Sequence, residues 1–148
     1  MGVPMKKTTK PLTVRQQYKK DYDRLFKEIG RDGGLWSQAV HAIHGHKCAI
    51  CGLPSQAAHH FFGKKAYPSV RFNLDNSVAC CKGCHSIKIH LKGQTELARD
   101  ALISRIGQDR FDKVKKLANE VARFTLDDLI AIKEELLAHL KGKGVGAD

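Results

Sequence analysis

The chain has 148 residues, 42% of them hydrophobic and 7% aromatic, a composition that fits a globular domain and excludes a low-complexity or fibrous protein. Its apolar runs fall short of the roughly eighteen residues a spanning helix needs, and Met1 to Lys10 lack the apolar stretch of a secretory signal, so a cytoplasmic, reducing location with no membrane partner is expected. The formal charge of +11 is unevenly placed, since residues 1–92 hold sixteen Lys or Arg against five Asp or Glu while residues 93–148 hold ten of each, which points to a polyanionic partner for the first part.

Residues 1–12, with Lys6, Lys7, Lys10 and two prolines, read as a flexible basic arm. From Thr13 the residues Val14, Tyr18, Tyr22, Leu25, Phe26 and Ile29 recur at helical spacing, and Gly30 offers a stop. After the turn Asp32-Gly33-Gly34, the residues Leu35, Trp36, Ala39, Val40 and Ile43 predict a second helix ended by Gly45, with core packing as their role. Residues 46–92 are turn-rich and crowded with Cys and His. There Val70 to Val78 reads as a strand or an extended loop, and Cys84 to Leu91 as a short helix. Residues 13–92 form one unit on this reading, and residues 93–141 a helical region. Its stripes are Leu97, Ala101, Leu102, Ile106, then Phe111, Val114, Leu117, Ala118, Val121. Thr125 with Asp128 resembles a capping box for a last helix through Leu140, and residues 142–148 read as a disordered tail.

In a reducing compartment, Cys-x-x-Cys pairs are metal ligands or redox centres before they are disulfides. Cys48-Ala-Ile-Cys51 and Cys81-Lys-Gly-Cys84 are two such pairs, and together they supply the four soft ligands of a closed, structural Zn2+ site. Two intervening residues let a tight turn aim both sulfurs at one ion. The twenty-nine residues between the pairs exceed the spacing of a simple zinc ribbon, so something is inserted between the clamps. Cys80 competes with Cys81 on paper, but only Cys81 keeps the two-residue spacing, and Cys80 reads as a small buried residue.

The insert carries His59-His60 and Asn76, and His85 follows the second clamp directly. A lone histidine beside an apolar run is most often a core residue; two adjacent ones, an asparagine and a third at the start of a helix are harder to place there. Zinc would tie the helix carrying His85 to the hairpin carrying His59 and His60, and rigid support is what a hydrolytic metal site needs. Lys88, three residues past His85, shares its face on an α-helix and is a candidate phosphate contact. His90 lies five residues past His85, about 140° around an α-helix, and is left out of the ligand set. Lys64, Lys65 and Arg71 flank the hairpin as further candidate nucleic-acid contacts, with a solvated loop or a buried ion pair as the plainer reading. His41, His44, His46 and His139 carry no constellation and receive no role.

The order Cys-x-x-Cys, His-His, Asn, Cys-x-x-Cys-His-x-x-Lys resembles that of the HNH (ββα-metal) endonucleases. The stretch AAHHFFGKKAYPSVRFNLDNSVACCKGCHSIK also resembles the phage NinG/Rap recombination nucleases, through His60, Pro68, Arg71-Phe72, Asn76, Cys81 and Cys84, and onward through Leu102-Ile103 and Arg105-Ile106-Gly107. The likeness covers Cys48 to Val114 and leaves out the first helices and the last. It implies an α+β fold in which a small zinc-stabilised ββα-metal finger is surrounded by helices. It implies His60 as general base, His59 and His85 as ligands of a catalytic Mg2+ or Mn2+, and Asn76 either orienting the hairpin or ligating the ion. The products would be a 5′-phosphate and a 3′-hydroxyl. His59 stands where Asp is commoner, a neutral ligand that opens the site to Mn2+, Ni2+ or Zn2+. The implied partner is DNA, branched or single-stranded in phage recombination, with phage or host recombination proteins alongside. The alternative is a zinc-stabilised nucleic-acid-binding module without catalysis, and the histidine set is what separates the two. A third reading, a phage regulatory or interaction protein, rests only on the neutral helical C-terminal region.

Overall fold

The computed structural model describes residues 2–4 and 10–144, the last two of these by their backbone alone. Lys6 and Lys7 of the expected basic arm lie outside the described residues, and so do residues 145–148 of the expected tail. The first helix, α1 (Val14–Gly30), starts at a reciprocal cap. The Thr13 hydroxyl accepts the Gln16 N–H at 3.1 Å, and the Gln16 side chain accepts the Thr13 N–H at 3.0 Å. Leu25 and Ile29 are buried along it. It ends where a Cβ on Gly30 would come within 2.9 Å of the Phe72 ring. Helix α2 (Leu35–Ile43) follows, burying Trp36, Ala39 and Val40 as its spacing predicts, and Ala42 as well, while Leu35 and Ile43 are half-buried.

Two short strands form an antiparallel ribbon, β1 (Ala57–His60) against β2 (Ser77–Cys80), pairing Ala57 with Cys80, Ala58 with Ala79, His59 with Val78 and His60 with Ser77. The expectation of an extended segment from Val70 is corrected. Residues Pro68–Val70 and Leu74–Asn76 are single 3-10 turns, and pairing begins only at Ser77. Pro68 presets the first turn, and the Asn73 side chain stabilises the second by accepting the Asp75 N–H at 2.9 Å. A π-helix (Cys84–Leu91) comes next, then α3 (Thr95–Ile106), α4 (Gln108–Ala118) and α5 (Leu126–Gly144). Val121, expected on the packed stripe of α4, instead lies beyond its end, 81% exposed. The Thr125–Asp128 capping box is present in both directions, at 2.8 and 3.1 Å. Helix α5 runs into the segment expected to be loose, reaching Gly144.

The ribbon lies between two packed clusters, because strand residues alternate faces. Val78 and Cys80 pack with Ile89, Leu102, Ile106 and Phe111 on one side; Ala79 packs with Leu25, Ile29, Trp36, Val40, Leu129 and Leu136 on the other. All four residues of β2 are buried. The α+β architecture is therefore as expected, with the cysteine-rich segment and the ribbon packed between the helices of both termini. Among the described residues, no helix is long and apolar enough to cross a membrane.

Candidate functional site

The two Cys-x-x-Cys turns meet. The ligand atoms of Cys48, Cys51, Cys81 and Cys84 all lie within 4.8 Å of one another, and the Cys51 and Cys81 sulfurs are 3.5 Å apart. A tetrahedral ion with Zn–S near 2.3 Å places its sulfurs about 3.8 Å apart, so this cluster fits a closed zinc site. The first turn is built by Gly52, whose φ of 78° is left-handed and whose N–H reaches the Cys48 carbonyl at 2.9 Å. It is fastened to β2 by Ala49 N–H to the Ala79 carbonyl and Gln56 N–H to the Cys80 carbonyl, both at 2.8 Å. Burial alone would raise the Cys48 thiol, but the backbone N–H groups of Cys51, Cys81 and Ile50 outweigh it and hold Cys48 down to about 6. Cys80 is the buried bystander that the spacing predicts. Burial, then its cysteine neighbours, push its thiol up to about 12.

The same alternation that splits the core separates the paired histidines. His59, opposite Val78, faces the π-helix, and His60, opposite Ser77, faces α2. His59 meets His85 and His90, with ring centroids 5.2 and 5.5 Å away. One ligand nitrogen from each of these three rings lies within 4.8 Å of the others, and the Nε2 atoms of His85 and His90 are 3.0 Å apart. Two imidazole nitrogens so close share either a proton or a cation. Metal–nitrogen bonds near 2.0 Å put two ligand nitrogens about 3.3 Å apart, so the cluster fits a metal ion. Burial first, then the charges of His85, His90 and His60, bring His59 down to about 4, and burial with His90 also lowers His85. Both are therefore neutral at physiological pH, each with a ring nitrogen lone pair available.

Including His90 reverses the expectation. Residues five apart diverge on an α-helix, but the π-helix bonds i to i+5, as in Lys92 N–H to the Ile87 carbonyl at 2.9 Å, and stacks them. The same winding removes the reason for choosing Lys88, because His90 takes the place beside His85 that an α-helix would give Lys88.

On the other face, His60 lies flat on the Trp36 indole, centroids 3.9 Å apart and planes 7° from parallel. Its Nε2 lies 2.9 Å from the Arg71 carbonyl. A carbonyl only accepts, so Nε2 carries the proton and Nδ1 keeps a free lone pair. Burial brings His60 down to about 4, with the Arg71 carbonyl opposing and the charges of Lys64 and Arg71 adding to the fall. Asn76 is wholly buried and spends its amide on the loop. Oδ1 accepts the Phe62 N–H at 2.7 Å, and Nδ2 donates to the carbonyls of Phe62 at 3.0 Å and Val70 at 3.2 Å. Of the two roles left open for it, the hydrogen bonds match orientation of the hairpin.

The histidines line a cavity of about 620 Å3 with Gly30, Arg31, Asp32, Trp36 and Lys64. Lys65, Arg71 and Lys88 are not on its wall. The Arg71 guanidinium lies over the Phe26 ring at 4.4 Å and near Phe72 at 5.1 Å, and among the described residues it makes no ion pair; its carbonyl meets His60. Sequence reasoning missed Trp36, whose helical spacing marks only core, along with His90. It also missed His44, which bridges the Val40 carbonyl at 2.7 Å and the Ala79 N–H at 3.4 Å.

Fold and clusters together define a small α+β protein whose four-cysteine cluster fits a structural metal such as zinc and holds a histidine-bearing ribbon. A family pattern described as bacteriophage lambda NinG protein matches residues 4–143, and the chain belongs to that family. It is 35% identical over 97 residues to protein ninG of Escherichia phage lambda, covering 64% of this chain and 46% of that protein. The chain thus spans about half the length of this curated relative in their match. No solved structure matches.

Proposed function

We propose that the chain is a metal-dependent endonuclease that hydrolyses DNA phosphodiester bonds, in the manner of the HNH enzymes it resembles. The observation that carries the reading is the opposite facing of two adjacent histidines. His59 joins His85 and His90 in a three-nitrogen cluster, while His60 keeps an unprotonated Nδ1 beside the same cavity. His59, His85 and His90 would hold one divalent ion. When bound, that ion would supply charge for the phosphate oxygens and the leaving 3′-oxygen. Three imidazole ligands suit Mn2+, Ni2+ or Zn2+ better than Mg2+. His60 would take the proton of the attacking water on Nδ1, its ring held by the Arg71 carbonyl and the Trp36 face. Asn76 would act at one remove, by fixing the loop that carries that carbonyl. The zinc clamp would keep β2 and the π-helix in register with β1.

The substrates favoured by the resemblance are branched or single-stranded DNA of phage recombination. A cleavage assay across DNA shapes, with added Mg2+, Mn2+ or Ni2+, tests the reading. His60→Ala should lower cleavage by about two to four orders of magnitude, with zinc content and DNA affinity kept. Wild-type protein that binds DNA yet cuts none of these substrates with any of these ions would refute catalysis and leave the binding-module alternative.

A further inference from the structure

Helix α1 lies outside the motif that carries the nuclease resemblance, yet it points a row of charge at the histidine cavity. Lys20, Arg24, Lys27 and Arg31 follow one another at intervals of four, three and four residues, and all four are exposed. On a helix this spacing makes one stripe, on the side opposite the buried Leu25 and Ile29. Arg24 is shared with Asp21 at 3.4 Å. Among the described residues, no carboxylate lies within ion-pair distance of Lys20, Lys27 or Arg31.

A basic helix face is most often just a solvated one. Here its direction argues otherwise. The stripe is about 16 Å long, enough to run beside several phosphates of one strand. It ends at Arg31, which itself lines the histidine cavity, and Lys64 lines the same cavity from the loop after β1. Helix α4 offers the comparison. Lys113, Lys115 and Lys116 are exposed too and match in number the three stripe residues without an ion pair, but no residue of α4 lines the cavity.

We propose that the α1 stripe is a backbone track along which one strand of a nucleic acid lies, delivering a phosphate to the histidine cavity. Delivery rests on the nuclease reading; binding along the track does not. Lysine and arginine at this spacing contact phosphate oxygens without reading bases, so the track is indifferent to sequence. Each phosphate it neutralises releases counterions, which makes its contribution visible as salt dependence.

The experiment is anisotropy of a fluorescent oligonucleotide, single-stranded and duplex in separate arms, titrated with the full chain without added divalent ions over a range of salt. The variant Lys20→Gln/Lys27→Gln/Arg31→Gln should bind at least about tenfold more weakly at 0.1 M salt, with a salt slope shallower by about two to three. Lys113→Gln/Lys115→Gln/Lys116→Gln should stay within about twofold of wild type at the same salt. Unchanged zinc content and thermal midpoint in both variants exclude misfolding as the cause. Wild-type affinity and slope in the α1 variant would overturn the track, and so would equal losses in both variants, which would mean a general charge effect. A wild type without affinity for either oligonucleotide overturns it too. Selective loss in the α1 variant from a wild type that cuts nothing would leave the track standing and remove the nuclease reading alone.

Discussion

Replacing Asn76 separates the two roles left open for it, because one predicts a stability loss and the other a metal effect. In Asn76→Ala the Phe62 N–H loses its acceptor at 2.7 Å, and the carbonyls of Phe62 and Val70 lose donors at 3.0 and 3.2 Å, all around a residue with no exposure. Each bond contributes about 1 kcal/mol net, and the orphaned N–H adds a desolvation cost of about 1 to 3 kcal/mol. The Val70 carbonyl also accepts from the Asn73 N–H at 3.1 Å, which softens its share. The loss should therefore be about 3 to 5 kcal/mol, or about 10 °C in thermal midpoint for a chain of this size. Asn76→Asp should be no milder at pH 7, since it keeps the Phe62 N–H bond but turns a carboxylate oxygen towards two carbonyls. Circular dichroism melts of zinc-loaded protein read both. A midpoint within about 2 °C of wild type for Asn76→Ala would refute the bracing role. So would an Asn76→Asp variant of unchanged stability that binds the second ion more tightly, because a carboxylate is a better ligand than an amide.

The zinc clamp predicts about one tightly held Zn2+ per chain, and Cys84→Ser should lose both the ion and the fold; well-folded protein without zinc by elemental analysis would contradict this. A second expectation follows from His44, brought down to about 4 by burial, with the Val40 carbonyl opposing and the charges of Arg105 and His41 adding to the fall. Between its ordinary value of 6.5 and about 4, the unfolded chain binds a proton that the folded chain refuses. Stability is therefore full above pH 6.5 and drains as pH falls towards 4, with His59 and His60 acting in the same direction. Thermal midpoints should drop steadily from pH 7 to pH 4.5, before most carboxylates titrate, and a flat profile over that range would contradict the assignment.

Much of the fold was legible because its signals are local. The Thr125–Asp128 cap, the apolar rows of α1 and α2, and the two Cys-x-x-Cys turns each declare themselves within a few residues. The ribbon was legible only through its ends, since Ala57 to His60 has no alternation of polar and apolar residues to mark a strand. That pattern is absent because both faces are covered, one by Trp36 and its neighbours, the other by the π-helix and α3. The setting of Arg71 was not legible for a similar reason. Nothing in the sequence shows that the Phe26 ring would lie beneath its guanidinium.

The error over His90 has a sharper cause, because the apolar residues of this segment fit an α-helix that the chain does not form. An α-helix that buries Cys84 would turn Ile87 and Leu91, three and seven residues on, to the same side, and both are apolar. Yet Ile87 is 49% exposed and Leu91 is 78% exposed, while Ile89, five residues from Cys84, is 3% exposed. Cys84 and Ile89 form one pair at the i, i+5 spacing, His85 and His90 the next. The inner pair anchors the segment, since Cys84 is held in the cysteine cluster and Ile89 packs with Val78 and Leu102. With both fixed, the π-winding sets the adjacent pair by the same step, and His90 is carried round to His85 without any signal of its own. The cysteine clamp thus does more than close a loop. By fixing where the π-helix begins, it helps choose which histidines come together.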